Sequence, residues 1–221
     1  MITTTTVEWA TGRTVTLRHL RGHRSPAVLL AHGAGVDQDH PLQVAVRDAI
    51  AGAGFPVVTF NYPYKEEGRG RPDRADVLLD VHGRVAGHVR ELHGRVALVG
   101  RSMGGRLGTM LAAEPYPYSG VVALAYPLHP IGKPDRLRVE HLPLVRTEVL
   151  MVIGDRDPMC TMELYDEHVR DLPLIETHVV ADGDHSFRVR KSSGRTTEEA
   201  FEEVMDAVIG FLGRLEEQAG A

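Results

Sequence analysis

The sequence predicts an α/β fold, a mostly parallel central sheet with helices on both faces, and three observations point to it. Short wholly apolar runs such as Ala27-Val28-Leu29-Leu30-Ala31 have the length and content of strands buried on both sides. They alternate along the chain with segments whose apolar residues recur every three or four positions, the spacing of a helix that covers a sheet. The residues with chemical potential fall just after the apolar runs, at the strand ends where such sheets bind ligands.

Thr4 to Glu8 and Thr14 to Leu20 alternate polar with apolar around a turn at Thr11-Gly12, which predicts an antiparallel hairpin. The run Ala27 to Ala31 ends in His32-Gly33-Ala34-Gly35. Leu42, Val44, Ala45, Ala49 and Ile50 are spaced as a helix that stops at Gly52-Ala53-Gly54, and Pro56 to Phe60 is the next strand. A polar, Gly- and Arg-rich stretch, Lys65 to Arg74, reads as a surface loop. Val77, Leu78, Val81, Val85, Val89 and Leu92 then mark one helix face. Val96 to Val99 is a strand and Gly104 to Ala113 a helix of small residues. Two buried strands follow, Val121 to Ala125 and Val149 to Ile153, separated by a Pro-rich connector. Leu164 to Val169 is a short helix, Ile175 to Val180 the last strand, and Thr197 to Leu215 a closing amphipathic helix. No repeat, linker or low-complexity block divides the chain, so residues 1–221 are expected to form one domain.

Composition excludes several classes of function. The net charge of −5 lacks the excess of Lys and Arg that phosphate binding requires, so no nucleic-acid partner is expected; the local group Arg188, Arg190, Lys191 and Arg195 reads as a solvated loop. Cys160 is the single cysteine, which rules out an intrachain disulfide and suits a reducing compartment. No apolar stretch approaches the ~20 residues of a membrane span. Met1-Ile2 and four threonines do not make a signal peptide. The expectation is a cytoplasmic protein with no membrane partner.

Gly100-Arg101-Ser102-Met103-Gly104-Gly105 is the strongest motif. A G-x-S-x-G between a strand and a helix is a nucleophile elbow: the turn is so tight that flanking side chains would collide, and the serine hydroxyl stands above the sheet at a helix start. A bland alternative is a tight turn with a capping serine. The nucleophile needs N–H groups aimed at the developing oxyanion. Met103 is expected to supply one and Ala34, in the loop after the first buried strand, the other, with Gly35 as the fallback. A dinucleotide fingerprint beginning at Gly33 and Gly35 fails at Gln38, so no cofactor is expected. His32, ahead of the glycines, reads as a structural hydrogen-bonding residue.

Acid and base should follow the serine in that order. After one late strand comes Gly154-Asp155-Arg156-Asp157-Pro158; after the next comes Asp182-Gly183-Asp184-His185-Ser186-Phe187. Of twelve histidines, His185 alone follows a late strand in this way, and it is the candidate base. Asp157, beyond the turn, is preferred as its carboxylate to Asp155 at the bend. Asp182, Asp184 and His185 have the chemistry of metal ligands, but no second histidine stands at ligand spacing, and no metal is expected.

These motifs extend into a family pattern. Together with Asp39-His40-Pro41, Phe60-Asn61-Tyr62-Pro63-Tyr64, Arg71-Pro72-Asp73 and Tyr126-Pro127-Leu128-His129-Pro130, they run from about residue 28 to about residue 210. In this the chain resembles the α/β-hydrolase superfamily, dienelactone-hydrolase-like in size, and within it the Tex30/KANSL3-like branch. The resemblance implies a compact sheet covered on both sides, Ser102, Asp157 and His185 as a triad, and the Tyr126 to Thr147 connector lying where larger relatives carry a cap. Dienelactone hydrolases proper use a cysteine where this chain has Ser102, so that activity is not carried over. Gly35, Tyr64 and His129 are the candidate substrate contacts, although Asn61, Tyr64 and Arg71 could equally anchor a loop.

The expected function is hydrolysis of a small ester-like molecule through an acyl-enzyme, in an open site with minimal or no lid, by a monomer or homodimer. The alternatives are thioester, amide or peroxide chemistry at the same triad, or a binding protein that keeps the fold without turnover.

Overall fold

The structure, a computed structural model, describes residues 2–220. Its strands are β1 (Ile2–Ala10), β2 (Arg13–Leu20), β3 (Ala27–Ala31), β4 (Val57–Phe60), β5 (Val96–Arg101), β6 (Val121–Leu124), β7 (Val149–Gly154) and β8 (Ile175–Val180). They form one sheet in the order β1-β2-β4-β3-β5-β6-β7-β8. The β1–β2 hairpin is antiparallel and joins β4 antiparallel; every pair from β4 to β8 is parallel. The doubly wound order places the carboxyl ends of β3 and β5 side by side, with Ala31 level with Gly100.

The helices are α1 (Pro41–Gly52), α2 (Pro63–Glu66), α3 (Ala75–His93), α4 (Met103–Ala113), α5 (Met162–His168) and α6 (Thr197–Gly220). Strand alternation builds two cores. Val28 and Leu30 face α1 and α6, against Val46, Ile50, Val204 and Val208. Ala27, Leu29 and Ala31 face α3 and α4, against Val81, Val85 and Leu107, in a core that extends to Tyr165 of α5. The inner strands β3, β6 and β7 are therefore apolar throughout, because successive side chains enter different but equally dry layers.

Two local expectations change, and the lidless connector agrees with what was expected. The loop expected from Lys65 begins inside a helical turn, α2, because Pro63 at its first position has φ preset for a helix. The closing helix runs to Gly220 rather than Leu215, since Glu216 to Ala219 include no glycine or proline to stop it. The connector, residues 125–148, holds a single 3-10 turn, Leu142–Leu144. It is pinned by the Tyr126 hydroxyl donating to the Arg138 carbonyl at 2.6 Å, and it inserts no lid over the sheet. Among the described residues no helix is long and apolar enough to cross a membrane.

Candidate active site

Ser102 stands between β5 and α4 with φ 50° and ψ −111°, a left-sided backbone conformation that an L-residue adopts only under constraint. The constraint comes from its neighbours. A Cβ on Gly100 would lie 2.3 Å from the Gly104 carbonyl carbon; one on Gly104 would lie 2.6 Å from the Ala31 carbonyl oxygen; one on Gly105 would lie 2.6 Å from the Gly100 carbonyl oxygen. The three glycines let α4 start in contact with β3 and β5. The Ser102 N–H donates to the Leu124 carbonyl at 2.7 Å and its carbonyl accepts from the Arg106 N–H at 2.9 Å, so the strained residue is tied on both sides.

Two later loops are closed against each other by backbone contacts. Gly154 lies so near Gly183 that a Cβ would sit 2.2 Å from the Gly183 oxygen, and that oxygen accepts from the Arg156 N–H at 3.0 Å. This fixes the chain after β7 beneath the chain after β8. Asp157 points inward, with a fully buried side chain; its Oδ1 accepts from the Met159 N–H at 2.8 Å and its Oδ2 accepts from His185 Nδ1–H at 2.6 Å. His185 Nε2 then accepts from the Ser102 hydroxyl at 3.0 Å. The chain of bonds brings together residues 102, 157 and 185. Asp155 is exposed, and only its backbone is engaged, on the Val180 carbonyl.

The histidine loop is braced from within. Asp184 accepts N–H bonds from Ser186 and Arg188 at 2.7 and 3.0 Å. Asp182 pairs with Arg156 and Arg190, so both carboxylates flanking Gly183 are committed to holding the turn. Arg101, which sequence reasoning passed over, reaches across from the elbow: one Nη donates to the His185 carbonyl at 3.1 Å and to Ser186 Oγ at 2.9 Å. Burial lowers its pKa, against the opposing pull of Asp157 and Asp184. The signal for it was its place inside the G-x-S-x-G motif, where x was treated as free.

The loop after β3 completes the rim. Gly33 packs against the elbow; a Cβ there would lie 3.3 Å from Arg101 Nη1 and 3.6 Å from Ser102 Cβ. Ala34 is exposed, and among the described residues its N–H meets no acceptor. Gly35 has φ +77°, and its carbonyl accepts from Lys65 Nζ at 3.1 Å. Met103 opens α4, where the first N–H has no intrahelical partner.

Below this loop His32 is fully buried. Its Nε2 accepts from the Tyr62 N–H at 3.1 Å, so Nδ1 carries the proton and donates to the Gly33 carbonyl at 2.8 Å; burial pushes its pKa down to about 4. The expectation that His32 is structural agrees with this placement.

Two candidate substrate contacts lie inside the fold. Tyr64 is 0% exposed, packed on His32 with its hydroxyl unpartnered, and burial raises its pKa to about 12. His129 is 2% exposed, with Nδ1 on the Pro130 carbonyl and its N–H on the Met159 carbonyl behind the Asp157 turn. Both side chains are packed inward, away from solvent. Asn61 likewise anchors, its Oδ1 accepting from the Gln38 N–H at 2.9 Å. Cys160 is buried and its thiol pushed up to about 12, so it is no rival nucleophile.

Residues 24–213 match the family model described as Alpha/beta hydrolase domain, and the chain belongs to that family. Hydrolase-type chemistry in general terms follows from that membership. Solved structures of similar shape include Est1E from Butyrivibrio proteoclasticus (13% identity, 96% of this chain and 98% of that one, TM-score 0.73). They also include an α/β serine hydrolase without lid from Xanthomonas campestris (18%, 96% and 95%, TM-score 0.69) and a dienelactone hydrolase from Anabaena variabilis (19%, 93% and 96%, TM-score 0.69). At these identities the likeness is one of fold.

Proposed function

We propose that the chain is a serine hydrolase that cleaves a small ester-like substrate through an acyl-enzyme. One observation carries the reading: the continuous hydrogen-bonded path from Ser102 Oγ through both nitrogens of His185 to a buried Asp157 carboxylate. His185 Nε2 takes the Ser102 proton as Oγ attacks the carbonyl carbon, and Asp157 holds the imidazole in the tautomer that leaves Nε2 free to accept. The N–H groups of Met103 and Ala34 stabilise the oxyanion, with Gly35 shaping the approach. The leaving group departs with the proton from His185, and water activated by the same nitrogen releases the acid.

A strained serine favours this over a binding role. Its φ of 50° accompanies a hydroxyl held on His185 Nε2, a combination that a binding surface does not require. Within the family we assign the chain to the Tex30/KANSL3-like branch, on the Gly100 to Arg106, Phe60 to Tyr64 and Tyr126 to Pro130 motifs. We further propose that it is a one-domain cytoplasmic enzyme needing no cofactor or metal, working on a small molecule as monomer or homodimer. A fluorophosphonate probe tests the central claim. Wild type should label covalently and Ser102→Ala should not, and loss of ester turnover should accompany loss of labelling. Labelling that survives Ser102→Ala, or a wild type that neither labels nor turns over any ester, thioester or amide, overturns it.

A further inference from the structure

A groove adjoins the histidine loop. It has a volume of about 550 Å³, within the range of small-molecule sites, and lies between the starts of α1 and α6. Its floor is apolar, from Pro41, Leu42 and Ala45 on one side and Phe201 on the other. Ser186, the residue after His185, forms its inner wall. Its charged lining residues are Arg188, Glu198 and Glu202, with His40 beside them, so two carboxylates outnumber the one permanent cation and the groove does not select an anion.

We propose that this groove binds the leaving alcohol of the substrate, and that the preferred substrates are esters of neutral apolar alcohols carrying one ring or a short branched chain. The inference deepens the serine-hydrolase reading and rests on it. During acylation the Ser102 Oγ–carbonyl bond forms and the carbonyl–alkoxy bond breaks. The Ser102 proton passes through His185 Nε2 to the departing alkoxy oxygen, giving acyl-Ser102 and free alcohol. The acid that delivers this proton must lie within hydrogen-bond reach of the leaving oxygen. The leaving group is therefore on the histidine side of the nucleophile, and the largely apolar groove that Ser186 lines adjoins the histidine loop one residue beyond His185. Phe201 offers a ring face or edge to an aromatic alcohol, and the half-buried Leu42 and Ala45 gain from being covered. The acyl portion is left towards the lidless rim.

Two measurements test it. Resonances of the wild-type protein are followed while benzyl alcohol is added. Shifts centred on Leu42, Ala45 and Phe201 support the assignment, and shifts elsewhere, or none up to the solubility limit, overturn it. In parallel, kcat/KM is measured for ethyl and benzyl butyrate, which share an acyl group, with wild type and with Ala45→Trp, which fills the groove from its half-buried α1 wall. The benzyl-to-ethyl ratio should fall about tenfold in the variant. A ratio unchanged in a folded variant overturns the proposal. Fluorophosphonate labelling of Ser102 reports separately on the nucleophile: intact labelling with an unchanged ratio rejects the groove alone, whereas absent labelling rejects the serine reading.

Discussion

At the scale of single residues, the choice between two aspartates one and three positions beyond β7 comes down to which one is turned inwards. Asp157 has both oxygens engaged and no solvent access, whereas Asp155 faces water. Asp157→Asn should therefore lower kcat by about 10³–10⁴-fold by leaving the imidazole in the wrong tautomer. Asp155→Asn should stay within about twofold of wild type, as surface substitutions do. Equal losses in the two variants, read from initial rates on one ester, would sink the assignment. Arg101 supplies a second residue-level test, because its guanidinium holds the backbone of the base rather than the substrate. Arg101→Gln is expected to lower kcat about tenfold with KM little changed, the loss of one charge-assisted bond, and Arg101→Lys should recover part of it. A change confined to KM would place the arginine against substrate instead.

At the scale of elements, the elbow works because β3, β5 and α4 meet without side chains between them. Gly100→Ala would drive a methyl group into the α4 backbone, where no flexible side chain can yield, and should cost about 2–3 kcal/mol or abolish folding. Gly35→Ala meets nothing within 4 Å and only pays for its positive φ, about 1 kcal/mol. Urea midpoints of the two variants check the ordering, and a Gly100→Ala protein as stable as Gly35→Ala would contradict the packing argument. The segment from Asn61 to Glu66 belongs to the same scale. It read as a strand end running into a loop, but Pro63 turns it into α2, whose Lys65 then supports the Gly35 carbonyl from outside.

At the scale of the whole molecule, three histidines are held neutral inside the fold, and they give it an acid limit. Burial lowers His82 to about 3 and His32 and His141 to about 4, from an ordinary 6.5. Below pH ~6.5 the unfolded chain takes up protons that the folded chain refuses, so this stability is complete above 6.5 and is lost as pH falls towards 4. For the fully buried His32 and His82 the loss is about 1 kcal/mol per pH unit each. Urea unfolding at pH 7, 6 and 5 should show falling midpoints, and midpoints that hold level or rise would mean these rings are not buried as neutral bases.

Much of this was legible along the chain, because local signals suffice where a residue's role depends on its near neighbours. The apolar runs set the strands, the three- and four-residue spacing set the helices, and the glycines around Ser102 marked a turn that tolerates no side chain. The same order of strand ends placed Asp157 and His185 after the serine. What only the tertiary structure decided depends on contacts between residues far apart in number. Gly154 meets Gly183 and so turns Asp157 inward; Arg101 reaches the backbone 84 positions on; Tyr64 and His129 are drawn into the interior. Sequence spacing records which side chains can share a helix or strand face, but not which distant loops the packed sheet brings into contact, and those meetings orient the groups at the site.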